Sequence, residues 1–433
     1  MTGYFKYITI ILFLFTNINL FSQKSLTLKD VLSMTVGNSY LIKQKEYELS
    51  AASFRVEQQK STELPTAVAN ASYTRVSPIS EMSFAGHNYE LNPADNLNAN
   101  ISVHQILYDF GKRESQVNYA SSLLSSITDN EELIKNDLSN QALNVFYGIL
   151  FLQQSAAVKD TEYAALTEHL KTTELKVKDG TATDYDALST RAKMAEIKNE
   201  QIEIRNEIEK QIVILEQLTG IDRKSEINIS GELELPVYSF NTDSVINTAF
   251  NQRPELKLLA DEKNSAMLMK DASAKLDQPV FSADVAYGIR NGYEPNLDAL
   301  RGNWSANLTV SVPVFNGYLT KNKISEADAV IEADNQKIFH TRDLITTDVC
   351  NSLNDFKSAV EKISNTSVQI EYSEKSLERV KLRYNSGSAT NLEVLDAETM
   401  LTQARLQYIQ AKYKSVVNYY MVRKAAGDKI YSM

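Results

Sequence analysis

Apolar and polar residues alternate with a period of two in four short stretches of this chain, while most of the remainder carries the spacing of long helices. Trp304, Ala306, Leu308, Val310 and Val312 alternate with Ser305, Asn307, Thr309, Ser311 and Pro313. Phe281, Ala283, Val285, Tyr287 and Ile289 alternate with Ser282, Asp284, Ala286, Gly288 and Arg290. Leu97, Ala99, Ile101 and Val103 alternate with Asn98, Asn100, Ser102 and His104, and more weakly Ala67, Ala69, Ala71 and Tyr73 with Val68, Asn70, Ser72 and Thr74. A period of two sends successive side chains to opposite faces of a strand. Each run is about 10 residues, the length of a tilted membrane-spanning strand. A half-buried soluble sheet shows the same alternation. Two features weigh toward a membrane wall: the faces opposite the apolar ones are mostly small and polar with few charges, and the loops at residues 78–95 and 291–303 are rich in Pro, Gly, Asn and Asp. The smallest spanning barrels have about eight strands, so four predict a barrel shared between copies of the chain.

Helix breakers mark the other elements. Residues 112–179 contain one, Gly148, and residues 318–386 contain none; each stretch is about 100 Å long if helical. Shorter breaker-poor stretches cover residues 30–63, 183–219, 254–277 and 391–426. Two short helices end to end match one long helix, so each such pair can lie beside a long one. Ile197, Ile204, Ile208, Leu215 and Leu218 follow heptad-like spacing interrupted by Gln201 and Gln211, which predicts helix-on-helix packing. Ile202, Ile212 and Ile214 widen that stripe, as suits a helix touching neighbours on two sides of a cylinder; a two-stranded coiled coil is the plainer alternative.

The two halves of the chain also match each other. At one offset of 207 residues, Gly180-Thr181-Ala182-Thr183 falls on Gly387-Ser388-Ala389-Thr390, Leu188 on Leu395, Gly220 on Gly427 and Ala99-Asn100 on Ala306-Asn307. Upstream the offset becomes 214, laying Asn38 on Gln252, Ala52 on Ala266 and Pro65 on Pro279, which predicts a longer hairpin loop between Pro65 and Ala99 in the first copy. The division expected is residues 1–22 as a signal peptide, 23–235 as a first repeat and 236–433 as a second.

The leader rests on Lys6, the apolar run at residues 7–15, the mostly polar residues 16–19 and Ser22 before the expected cut. That run is too short for an anchor, which needs about 20 residues. No Cys lies near residue 23, so no lipid is expected there. The 45 Lys+Arg and 55 Asp+Glu give a net charge of −10, which offers no field for nucleic acid. Only 14 Gly and 8 Pro occur in 433 residues, below the average combined share of about 12%, and this scarcity agrees with long helices. The lone Cys350 excludes an intramolecular disulfide or Cys-based zinc site, and its place inside a breaker-free helix predicts small-residue packing. His87, His104, His169 and His340 show no ligand spacing, and there is no phosphate loop or nucleophile motif. No enzyme, metal or cofactor is expected.

The chain resembles the TolC family of outer-membrane efflux channels. The resemblance is carried by the strand exits Ile106-Leu107-Tyr108-Asp109-Phe110-Gly111 and Val312-Pro313-Val314-Phe315-Asn316-Gly317. It is also carried by the turns at residues 178–183 and 384–390 with Glu393-Val394-Leu395-Asp396-Ala397, by Leu218-Thr219-Gly220 and by Arg253-Pro254-Glu255-Leu256. It implies an α+β membrane protein: a homotrimer in which four strands per chain build a twelve-stranded outer-membrane β-barrel and long helices build a periplasmic α-barrel. The implied role is the passive exit duct of a tripartite efflux pump or type I secretion system, docked through a periplasmic adaptor to an inner-membrane pump. Drugs, metal ions and polypeptides all stay open as cargo. A soluble periplasmic coiled-coil adaptor or scaffold is the alternative.

The resemblance also implies site residues. Gly180, Thr181, Gly387 and Ser388 sit in the adaptor-docking tips. Glu393 and Asp396, three apart and so on one helical face, line the entrance constriction; a solvated, dipole-favoured charged face is the plainer alternative. Tyr384 and Asp186 stand where the family closes its entrance with a latch, but Ala389 replaces the Arg that completes it, so a weaker closed state or a different lock is expected. Trp304, with Tyr73, Tyr108 and Tyr287, is placed in an aromatic girdle, core packing being the alternative.

Overall fold

The computed structural model describes residues 25–222, 227–234 and 238–432, so the leader expected over residues 1–22 lies outside the described residues. The first element is a two-residue strand, β1 (Ser25–Leu26), followed by α1 (Leu28–Asn38) and α2 (Tyr40–Ser61). The stretch at residues 30–63 is thus two helices, not one. The break is Ser39, extended at φ −60° and ψ 124°, and it lets α1 turn onto the end of another helix, where Asn38 Nδ2 donates to Thr219 O at 2.8 Å. The first β-hairpin pairs β2 (Thr66–Arg75) with β5 (Asp95–Tyr108), and the long loop between them carries its own ribbon, β3 (Glu81–Phe84) with β4 (His87–Glu90). Then come α3 (Lys112–Lys178), α4 (Asp184–Thr219) and β6 (Asn228–Ile229), which pairs with β1 in parallel.

The second half runs α5 (Thr242–Gln252), α6 (Pro254–Ala274), β7 (Val280–Arg290), β8 (Arg301–Ser311), α7 (Leu319–Asn385), α8 (Asn391–Ala425) and a closing 3₁₀ turn at Ile430–Ser432. Here too two helices meet at an extended residue, Arg253 at φ −63° and ψ 123°. Its cause is Pro254, whose ring disfavours the helical conformation one residue earlier. α5 is a short amphipathic helix that the breaker pattern did not single out. Both long helices have 67 residues, about 100 Å each, and each is preceded by a left-handed residue, Gly111 or Tyr318, that turns the chain out of the sheet.

The four main strands form one antiparallel sheet in the order β2-β5-β7-β8. Register partners such as Ala69 with Ile101, Ile101 with Tyr287 and Tyr287 with Trp304 put all four apolar sets on one face. The apolar core lies elsewhere, halfway along the helices. Phe146, Leu143 and Ile149 of α3 pack with Val31 and Leu32 of α1, Leu215 of α4, Ile229 of β6 and Val416 of α8. Ile345, Val349 and Phe356 of α7 pack with Ala249 of α5 and Val422 of α8. Toward the helix turns the core thins to small groups such as Leu166, Ile197 and Leu395, leaving room for polar contacts to decide how the hairpins meet.

Candidate functional site

The ends of the two helical hairpins are built alike. Gly180 has φ +70° and Gly387 φ +76°, conformations that cost a residue with Cβ about 1–2 kcal/mol. At the first turn the Gly180 N–H donates to Val177 O at 3.0 Å and the Thr181 N–H to Lys176 O at 2.8 Å. At the second, the Gly387 N–H donates to Tyr384 O at 3.1 Å and the Ser388 N–H to Arg383 O at 2.8 Å. These bonds satisfy the last carbonyls of α3 and α7. The next helices open with capping boxes: Thr183 with Asp186 and Thr390 with Glu393 exchange side-chain and backbone bonds. A Cβ at either glycine would meet open space, so backbone conformation and exposure define these turns.

The hairpins are joined by a buried polar seam. Asn391, the first residue of α8, is 2% exposed; its Nδ2 donates to Asp186 O at 3.0 Å, Ser189 Oγ at 3.1 Å and Thr190 Oγ1 at 3.2 Å. Its Oδ1 lies 2.6 Å from His169 Nε2. Beside it the Tyr384 hydroxyl meets Thr173 Oγ1 at 3.0 Å, and Lys176 Nζ donates to Tyr384 O at 2.7 Å while standing 4.7 Å from the centroid of the Tyr384 ring. The structure does not bring Tyr384 to Asp186. The Asp186 carboxylate accepts the Thr183 N–H at 2.9 Å and hydroxyl at 2.8 Å in its own cap, and Tyr384 is drawn to α3 by Thr173 and Lys176. Within the chain, Tyr384 therefore meets Thr173 and Lys176 rather than Asp186. Sequence reading missed Thr173, Lys176, Thr190 and Asn391, which match no motif, and took His169 only as one of four scattered histidines.

Glu393 and Asp396 lie one turn apart on α8, Glu393 half-buried and Asp396 exposed. Glu393 accepts the Thr390 N–H at 2.7 Å and has Arg383 at 3.7 Å. The Thr390 backbone and hydroxyl, with Arg383 behind them, hold its carboxyl below the usual range. It stays ionised into mild acid.

At the sheet, Trp304 is 75% exposed, directly across from the exposed Tyr287 on the apolar face, with Tyr73 toward the loop end. Near the helices Tyr108, Phe110 and Phe281 cluster with centroids 4.7 and 6.3 Å apart. On the opposite face His104 Nδ1 meets Asp284 Oδ1 at 2.8 Å, a polar wall contact. Cys350 is half-buried and unpaired. Among the described residues, no group of three or more His, Cys, Asp and Glu could hold a metal ion, and no helix is long and apolar enough to cross a membrane.

A model described as "Outer membrane efflux protein" matches residues 31–221 and 245–428. Outer membrane protein TolC of Salmonella enteritidis is 22% identical over 355 residues, 76% of this chain and 68% of that protein. TolC of Escherichia coli (strain K12) is 22% identical over 330 residues, 69% of this chain and 62% of that protein, so less than two thirds of the latter is spanned. The Campylobacter jejuni CmeC outer membrane channel superposes with a TM-score of 0.78 at 15% identity, covering 92% of this chain and 85% of that one. VceC from Vibrio cholerae gives 0.77 at 16% identity, covering 93% and 96%. At these identities the solved structures establish the fold.

Proposed function

The chain belongs to the outer membrane efflux protein family, and from that premise we propose that three copies form an outer-membrane channel continued by a periplasmic helical tunnel. In this reading the assembly is the passive exit duct of a tripartite efflux pump or type I secretion system, with energy supplied by an inner-membrane pump through an adaptor. One observation carries it: the four-stranded sheet has a continuous apolar face, and its two edge strands, β2 and β8, each have one free edge among the described residues. Exposed edges are a liability, and in lipid only closed barrels and helices satisfy the backbone. Joining β8 of one copy to β2 of the next closes the sheet with neither edge left.

The aromatic levels support the same placement. Phe281 and Tyr287 lie about 20 Å apart along β7 by strand rise, close to the apolar band of about 25 Å in barrels of this type. Trp304 then belongs to the outer girdle. The exposed Ile202, Val213 and Ile214 of α4 supply an apolar second side for a neighbouring copy. Residues 1–22 act as the leader, no lipid is attached at residue 23, and residues 23–235 and 236–433 are the two repeats.

At the periplasmic end, Glu393 and Asp396 from three copies form the constriction, favouring cations, and the seam of His169, Thr173, Tyr384 and Asn391 holds the entrance closed. Gly180, Thr181, Gly387 and Ser388 receive the adaptor, flanked by the exposed Leu175 and Tyr185 at one tip and Leu382 and Leu392 at the other. Single-channel recording from detergent-purified mature protein in a planar bilayer tests the reading. Small, stable, cation-selective currents are the expected result. Absence of current from folded protein, together with its release from membranes by a high-salt wash, would replace the channel with a soluble adaptor.

A further inference from the structure

The far end of the β7–β8 hairpin carries a like-charge pair that the duct itself does not require. Arg290 ends β7, Arg301 begins β8, and they are direct register partners on the face opposite Tyr287 and Trp304. Like charges directly opposite each other destabilise a hairpin. Neither guanidinium is balanced by a carboxylate among the described residues. Arg290 lies over the Tyr293 ring, 4.8 Å from its centroid, with Nε donating to the Tyr293 hydroxyl at 2.9 Å. Arg301 Nη1 donates to Glu294 O at 2.8 Å. These contacts brace the loop and use one edge of each fork, leaving the remaining N–H groups open. The adjoining positions on that face are the neutral Asn98 and Asn303. Inward along it the first acid is Asp284, already taken by His104.

We propose that Arg290 and Arg301 form a binding site for multivalent oxyanions, of the phosphoryl or polycarboxylate kind, at the outer mouth of the lumen. The proposal rests on the channel reading, which turns this face inward. Two planar guanidinium groups side by side match the paired oxygens of such anions, and an anion there relieves the repulsion across the hairpin. In a threefold assembly three such pairs surround the mouth, opposite in sign to the Glu393 and Asp396 end.

Sodium tripolyphosphate is the probe, added to one side or the other of a bilayer holding oriented single channels. From the loop side it is expected to halve the current at a concentration about tenfold lower than from the helical side. Arg290→Gln with Arg301→Gln abolishes that difference, Arg290→Lys with Arg301→Lys keeps part of it, and Arg75→Gln, on the other face, leaves it intact. Equal block from both sides, or unaltered block in the double Gln variant, overturns the site while the channel stands. The sidedness of the unmodified protein decides the matter even if a variant fails to fold. Absence of any current from folded protein overturns the channel and the mouth with it.

Discussion

His169 Nε2 donates a hydrogen bond to Asn391 Oδ1 at 2.6 Å, tying α3 to the start of α8 across the seam between the two helical hairpins. The direction follows from the neighbours: the Asn391 amide nitrogen already serves Asp186 O, Ser189 Oγ and Thr190 Oγ1, so its oxygen is the acceptor and the imidazole carries its proton on Nε2. Truncating Asn391 leaves the buried His169 Nε2–H without its acceptor, while Ser189 and Thr190 keep their bonds to Asp186 O. Such an unsatisfied partner costs about 1–3 kcal/mol, so Asn391→Ala is expected to lower the thermal midpoint in detergent by several degrees. It should also raise the mean single-channel conductance by releasing the entrance. A variant that melts earlier with unchanged conductance would make the seam structural only.

The same imidazole makes the seam sensitive to acid. Burial holds His169 below its ordinary value of 6.5, outweighing the hydrogen bond to Asn391 that favours the charged form; Lys381 disfavours that form and Glu398 favours it. Lys381 Nζ is held by Glu398 at 2.5 Å, and Lys176 stands nearby on Tyr384. Because the folded state binds this proton less readily than the unfolded chain, its contribution to stability is intact above about pH 6.5. It is lost as the pH falls below that value toward the lowered one. Conductance is therefore expected to rise as the pH falls below about 6.5. His169→Gln, whose amide can still donate to Asn391, should flatten the profile; an unaltered profile would point to another group.

Much of this was legible in the sequence, and the reason differs by element. The strand faces could be read because a period of two is local, and the turns because a left-handed turn needs glycine and both halves repeat it, whereas the capping boxes of Thr183 with Asp186 and Thr390 with Glu393 went unread. The break at Ser39 could not: it has no proline after it, and it exists because Asn38 docks on the end of α4, over 180 residues away. The partners of Tyr384 within the chain were hidden for a similar reason. Asp186 lies next to Tyr384 by analogy, yet a local cap claims its carboxylate, and the residues that do meet Tyr384 are Thr173 and Lys176, which carry no signal until α3 and α7 are packed.

Glu393→Gln with Asp396→Asn separates charge from structure at the proposed constriction. Glutamine still fills the capping-box position behind Thr390, so helix stability should change by less than about 0.5 kcal/mol, as for ordinary surface substitutions. Cation selectivity, read as the reversal potential in a salt gradient, is expected to collapse. In the unmodified channel the Thr390 contacts keep Glu393 ionised below the usual carboxylate range, so its share of the selectivity should persist at pH 5 and fade only in stronger acid.

Exposed apolar residues at the tips should matter to the partner more than to the chain. Tyr185 and Leu392 both stand exposed two positions after a helix-capping Thr. Tyr185→Asp with Leu392→Asp is expected to weaken binding to the cognate adaptor about tenfold or more, since burying an unpaired carboxylate is costly. The thermal midpoint should stay within about one degree, as these side chains bury little in the chain itself. Equal adaptor affinity, measured with purified components, would move the docking surface elsewhere.

The sheet supplies the sharpest contrast between its two faces. Val285 lies midway along β7 on the apolar face, with Val103 and Ala306 as register partners on either side. Ser305 lies at a similar depth on the polar face, across from Ala286. Placing an arginine against lipid near the bilayer midplane costs about 2–4 kcal/mol, whereas one facing water in the lumen costs little. Val285→Arg is expected to lower the stability of the assembled barrel by that amount for each copy, or to prevent its formation, in urea titrations in lipid vesicles. Ser305→Arg should fold almost unimpaired and reduce conductance instead. If the two substitutions exchange effects, the faces are assigned the wrong way round; if both are tolerated in folding, the sheet does not meet lipid at all.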